Sequence, residues 1–364
     1  MELTRRSLIK GGIGVLATAL LGSGCDNHLD SNLDQPILEI PPTTIYPIKI
    51  KDKLEFEREH QKDFSMAFVI VSPNLNNVSE EEREYVDAIR RNFEWGFNEA
   101  TSNLAIMDTS YAPVLLEHTE VVSPEGDLLI GEVIPKFFDS NLDSFDFISF
   151  YPAISRSDLH PYHHPIQNKL SGIGSAIFDW TERYGSSGRL LGVNIISTLA
   201  EYLSSGNKQL LDPQKMGAEL HELGHTWGVK VGHNFTGKND GTKLELRQDN
   251  IHFYRGLQSP FNSTTPMNSD HWVPNGDGTY HRLTEKFPVE PYHPIQLYFM
   301  GLFPEEGIEI DGIKYTYDTS FQIYDCGGAD TGRPFNPEHA VPHSQVSIND
   351  IIQVEGSRQW MEAP

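Results

Sequence analysis

Cysteine and basic charge are what this 364-residue chain has least of. Two cysteines, Cys25 and Cys326, cannot build a disulfide framework, and no CxxC or CxxCH pair is present for redox or haem chemistry. Cys326 stands in YDCGGADTG and reads as a lone thiol at a small-residue position. Lys and Arg number 28 against 51 Asp and Glu, a formal charge of -23. Such a surface repels phosphate backbones and anionic headgroups, which argues against nucleic acid as a partner. The glycine-rich passage Tyr184 to Leu190 lacks the Gly-Lys-Ser/Thr ending of a phosphate loop, and no dinucleotide glycine fingerprint occurs. The apolar run Gly11 to Leu21 is too short for an ordinary membrane-spanning helix.

What is present suits a loop-rich globular fold: 38% hydrophobic residues with 23 Pro and 30 Gly. The N-terminus reads as a processing segment. TRRSLIK (4 to 10) before the apolar run resembles a twin-arginine export signal, and Leu21-Gly-Ser-Gly-Cys25 resembles a lipoprotein cleavage box. Residues 1–24 are therefore expected to be a signal peptide, with Cys25 the lipidated residue and 25–60 a polar, proline-rich tether. The protein is then an exported, membrane-anchored lipoprotein, periplasmic or at the cell surface. The folded domain is expected over 61–364, as an N-terminal α/β part (61–228) and a loop-rich C-terminal part (229–364).

Periodicity places the elements of the first part. Met66 to Ser72 is a compact apolar run that reads as a buried strand. Ser79 and Glu82 form a capping box ahead of Tyr85, Ile89, Phe93 and Phe97, spaced as one face of a long helix. Strands are expected near Ile106, at Val114 to Leu116, at Phe145 to Tyr151 and in the run Leu190 to Ile196. The cluster His160-Pro-Tyr-His-His164-Pro165 reads as a loop of hydrogen-bonded or solvated histidines, since two prolines rule out a regular helix there. Asp277-Gly278 and Asp311-Gly312 read as hairpin turns, and Ser347 to Asp350 as the cap of a last short helix.

The chemistry sits in LDPQKMGAELHELGHTWGVKVGH. Asp212 as N-cap and Pro213 at the first position open a helix whose core stripe is Met216, Leu220, Leu223 and Trp227. His221 and His225, four apart, face one point from successive turns, which is two-thirds of a zinc site. Glu222 lies to the side of that face, where a carboxylate reaches a water on the metal without ligating it, the place of a general base. Gly217 and Gly224 beside the histidines leave room for metal and substrate, and Gly228 is the expected exit from the helix.

HELGHTWG opens like the metzincin signature, but Val231 stands where that signature has its third histidine. Spacing leaves several third ligands open: His233, Glu245 (with Asp249, as in thermolysin-like enzymes), His252 and His271. A wider set of segments, FDFISFYP (145 to 152), SGIG (171 to 174), YGSSGRLLGV (184 to 193), HELGHTWG (221 to 228), IHFYRGL (251 to 257), TPMNSDHWVPNGDGTY (265 to 280) and HPIQLYFMGLFPEE (293 to 306), resembles a family of bacterial secreted metzincin-like proteins and lipoproteins. That resemblance implies an α/β (α+β) zincin catalytic domain with a mixed sheet, a long helix and an active-site HExxH helix. It implies His252 as third ligand and Met267 as the Met-turn residue beneath the metal, whereas Met300 in an apolar run reads as core.

The expected function is that of a zinc metallopeptidase acting on extracytoplasmic proteins or peptides. Zn2+ lowers the pKa of its water from about 15.7 to roughly 7, and Glu222 takes the proton and passes it to the leaving amine, with Tyr254 as a possible aid to the oxyanion. The alternative is a surface lipoprotein that keeps the zinc but only binds a glycan or protein partner.

Overall fold

The computed structural model of the protein describes residues 63–119, 122–123, 128–154, 159, 161–173, 176–204, 213–227, 255–257, 265–267, 271–283, 289–310, 312–326 and 336–361. Outside them lie the segments expected as signal and tether, with Cys25, and also His160, Asp212, Gly228, Val231, His233, Glu245, His252 and Tyr254.

Strand β1 (Asp63–Ser72) is the spine, buried at every position after Asp63. A strand covered on both faces has no reason to alternate, so it reads as one apolar run. Its side chains nevertheless divide between two cores. Met66, Phe68 and Ile70 point into one, Ala67, Val69 and Val71 into the other. On one edge β1 pairs in parallel with β2 (Ile106–Asp108) near its start and with β3 (Val114–Glu117) near its end. On the other edge it pairs in parallel with β4 (Phe147–Pro152), which pairs in parallel with β6 (Gly192–Ile195). Strand β5 (Tyr162–Pro165) closes this mixed sheet, antiparallel to β6. Residues 162–165 of the histidine cluster expected as a loop are thus an edge strand among the described residues, and Pro165 fits there because an edge position needs no ladder bond from the missing N–H.

Helices cover both faces. Helix α1 (Glu80–Ala100) starts on the expected capping box, in which Ser79 Oγ accepts from Glu82 N at 3.2 Å and the Glu82 carboxylate accepts from Ser79 N at 2.7 Å. It lays Tyr85, Ile89, Phe93 and Phe97 on the first core. Helix α2 (Ile130–Phe138) lays Val133, Ile134 and Phe137 on the second. Helix α3 (Leu199–Ser204) follows β6, and helix α4 (Pro213–Gly224) carries the HExxH motif on the α1 side. Two further helices, α5 (Pro294–Met300) and α6 (Ile348–Glu355), join the same core, and Met300 is buried in it as expected. Asp146, buried at the foot of β4, accepts from Ser65 N at 2.9 Å and from the Arg189 guanidinium at 3.2 Å, tying the starts of β1 and β4 to the approach to β6.

The part expected to be loop-rich carries short antiparallel pieces among its described residues. Strand β7 (Arg255–Leu257) pairs with β10 (Phe321–Asp325), which pairs with β11 (Val341–Val346), while β8 (His271–Pro274) and β9 (Tyr280–Leu283) form a hairpin. Gly276 and Gly278 both have φ of +89° in its turn, and Gly312 has φ of +76° between the paired residues 308–310 and 313–315. Both expected hairpins are present. Cys326 is buried with Trp272, Tyr324 and Ala340, a packing role. The described residues all belong to one compact unit, Ile50–Pro364.

Helices α1 and α4 meet at a glycine. A Cβ built on Gly96 falls 1.8 Å from Met216 Sδ and 3.1 Å from its Cε. Gly96→Ala is therefore expected to destabilise the protein by about 1–3 kcal/mol. The double variant Gly96→Ala/Met216→Ala should lose less than the two single losses added, a coupling that denaturant titration of all four proteins measures.

Candidate metal centre

Helix α4 lies between the sheet and the C-terminal part, and each side holds it by a different chemistry. Its expected stripe is in place: Met216, Leu220, Leu223 and Trp227 are buried in the first core. The helix ends earlier than expected, at Gly224 rather than Gly228. From there His225 N, Thr226 N and Trp227 N bond to the carbonyls of Glu222, Leu223 and Gly224, each three residues back. The second histidine therefore stands in a tightened 3₁₀-like turn.

The two imidazoles converge. His221 Nε2 and His225 Nε2 are 3.1 Å apart, with ring centroids 4.7 Å apart and planes at 90°. His221 Nδ1 lies 2.6 Å from the carbonyl oxygen of Pro266, which can only accept, so Nδ1 carries the proton and Nε2 presents its lone pair. That is the tautomer and the carbonyl support that metal-bound histidines use. Two nitrogens bound to one tetrahedral zinc are about 3.3 Å apart, so the 3.1 Å spacing fits a shared ion. Glu222 is 6% exposed beside the pair.

Pro266 and Met267 come from the segment in which the Met-turn was expected. The space above Gly224 is taken by Met267: a Cβ there falls 2.3 Å from Met267 Sδ, 3.1 Å from its Cγ and 3.2 Å from Tyr292 Cε1. Gly224 thus serves close packing under the histidines instead of leaving room for substrate, whereas no described residue outside its own helix lies within 4 Å of a Cβ built on Gly217. Tyr292 is buried and its hydroxyl donates to Leu220 O at 2.5 Å.

The sheet side is polar. Glu219 is 1% exposed, and its carboxylate accepts from Ser149 Oγ at 2.8 and 3.0 Å, from the Tyr151 hydroxyl and from Asn194 Nδ2 at 3.3 Å. Burial pushes its carboxyl above the usual carboxylate range, while the hydrogen bonds from Tyr151, Ser149 and Asn194 pull the other way. Asn194 Oδ1 accepts from His163 Nδ1 at 2.9 Å, and His163 Nε2 is 3.2 Å from Thr226 Oγ1. His164, pointing to the opposite face, bonds Tyr184 OH at 3.0 Å. Burial, with a contribution from Arg183, holds its imidazole below the usual value. Asn194 lies just past YGSSGRLLGV, and Glu219, Ser149, Tyr151 and Thr226 lie within LDPQKMGAELHELGHTWGVKVGH or FDFISFYP without being singled out there. One signal for Glu219 was available: it lies three residues after Met216 and four before Leu223, a carboxylate on the core stripe.

Among the described residues no group of three or more His, Cys, Asp or Glu is arranged to hold a metal ion. His252, His233 and Glu245 lie outside the described residues. No family model matches the chain, and no curated protein is significantly similar to it.

Two outcomes follow from the packing under α4. Gly224→Ala should lower stability by about 1–3 kcal/mol, and Met267→Ala in the same chain should recover part of it, read by thermal melting. The buried Tyr292 phenol is pushed well above the ordinary value of about 10 by loss of solvent. Below pH 10 both folded and unfolded chains keep this proton; above it the unfolded chain releases it first, so stability falls as pH rises. Denaturant midpoints from pH 8 to 11 should fall less steeply in Tyr292→Phe than in the unaltered protein.

Proposed function

We propose that the protein is a zinc-dependent metallopeptidase with a metzincin-like catalytic domain, exported and anchored through lipid on Cys25. One observation carries the reading: the Nε2 atoms of His221 and His225 meet at 3.1 Å while Pro266 holds the proton of His221 on Nδ1, leaving the His221 Nε2 lone pair turned to that point. The 3.1 Å separation is also close to that of two imidazole nitrogens on one tetrahedral zinc, the ion taking the place of the shared proton. The position of Met267 against Gly224 supports a Met-turn role for it, and His252 is the third ligand in this proposal.

Zinc bound there supplies a Lewis acid and a water acidic enough to react at neutral pH. The chain's own residues do the rest. His221 and His225 orient, and the Pro266 carbonyl keeps His221 from turning. Glu222, nearly excluded from solvent, accepts the proton of the attacking water and returns it to the amine of the cleaved peptide bond. Strand β5 lies at the sheet edge beside α4, where an extended peptide can add as a further strand. The substrate is a protein or peptide outside the cytoplasm.

Purified full-length protein incubated with a degenerate peptide library should cleave it, a chelator should stop the cleavage, and zinc should restore it. Glu222→Gln should keep the zinc and lose cleavage by about two orders of magnitude or more. Zinc uptake without any chelator-sensitive cleavage would point to a binding protein and defeat the peptidase reading.

A further inference from the structure

Building on the zinc reading, we propose that Glu219 is a positioning residue of the histidine pair, acting with Asn194 and His163 to fix how helix α4 sits on the sheet. The three sheet residues concerned form a row. Ser149 of β4 pairs in register with Asn194 of β6, and Asn194 with His163 of β5, so they stand side by side facing α4.

The row touches the helix segment twice. Glu219 bonds Ser149 and Asn194, and Thr226 bonds His163. Those two contacts are seven residues apart, two turns, and they bracket His221 and His225. Apolar packing is non-directional and tolerates sliding or rotation of a helix; hydrogen bonds lose strength steeply when distance and angle change.

The chain of bonds also has one direction. Asn194 gives its N–H to Glu219, so its Oδ1 must accept from His163 Nδ1. His163 Nε2 then has only a lone pair, and the Thr226 hydroxyl donates to it. The Glu219 carboxyl oxygens accept from Ser149, Tyr151 and Asn194 together. A residue serving packing alone needs none of this and would be apolar. On the other side the Pro266 carbonyl and Met267 close on the helix, so the pair is clamped between the row and that turn.

The test uses full-length protein with 15N-labelled histidine, imidazole tautomers read by long-range proton–nitrogen NMR, and zinc affinity by chelator competition. The unaltered protein should show His163 and His221 in the Nδ1–H form. Glu219→Ala should remove the His163 signature, disturb that of His221 and weaken zinc about 10- to 100-fold while the far-ultraviolet spectrum stays native. Thr226→Val, a milder change should Glu219→Ala not fold, should weaken zinc about tenfold with little change in melting temperature. Met216→Ala, on the same helix but in its apolar stripe, should lower the melting temperature and leave tautomers and zinc affinity of the folded protein unchanged. The inference is overturned if Glu219→Ala or Thr226→Val keeps both histidine signatures and zinc affinity, or if Met216→Ala reproduces their losses. Unaltered protein that takes up no zinc overturns the peptidase reading instead, and the histidine signatures alone then decide this one.

Discussion

The Glu219 carboxylate has been taken out of water and set against the underside of a β-sheet, where Ser149, Tyr151 and Asn194 receive it. Removing a carboxylate from water costs several kcal/mol even after relaxation, and deleting any one donor leaves part of that cost uncompensated. Helix α4 is therefore bound to one arrangement of β4 and β6, which the parallel register of those strands in turn defines. The other contacts of the site follow from it. His163 reaches Thr226 because its strand pairs with Asn194, and the helix offers Gly224 to Met267 because its sheet-facing side is already committed.

The two faces of the sheet are unlike in a way that suits this division. Toward α2, β4 and β6 present Ile148, Phe150, Val193 and Ile195, a uniformly apolar surface. Toward α4, the same strands present Phe147, Ser149, Tyr151 and Asn194. On β4 and β6 the polar pair Ser149 and Asn194 lies beneath the helix that carries His221. A core built for stability alone has no use for such a strip, since apolar residues of equal volume are often no less stable.

Most of the scaffold could be read along the chain, because its signals are local. The Ser79/Glu82 capping box, the stripe from Tyr85 to Phe97, the apolar β1 run and the Asp-Gly turns each need only neighbouring residues to be recognised, and each is where it was expected. The histidine pair was legible for the same reason, being four residues apart across a helix end. What was not legible depends on partners far apart in sequence. Ser149 meets Glu219 across 70 positions and His163 meets Thr226 across 63, through strand register that no local pattern encodes. The histidine cluster at 160 to 165 misled because two prolines argue equally for a loop and for an edge strand, and only the pairing with β6 decides. Gly224 misled likewise: an absent side chain reads as free space until the sulfur that fills it is known.

The bond from His221 Nδ1 to Pro266 spans 45 positions, and Tyr292 reaches Leu220 across 72. The motif thus holds both histidines, one on the helix and one in the turn that ends it, but not the information that places the proton of His221. A chain still emerging, or one cut before Pro266, holds the HExxH letters with the imidazole proton free to sit on either nitrogen. Non-local contacts form late because loop closure must precede them. The geometry of the histidine pair is then completed by long-range closure rather than by formation of its own helix, and becomes a property of the finished protein.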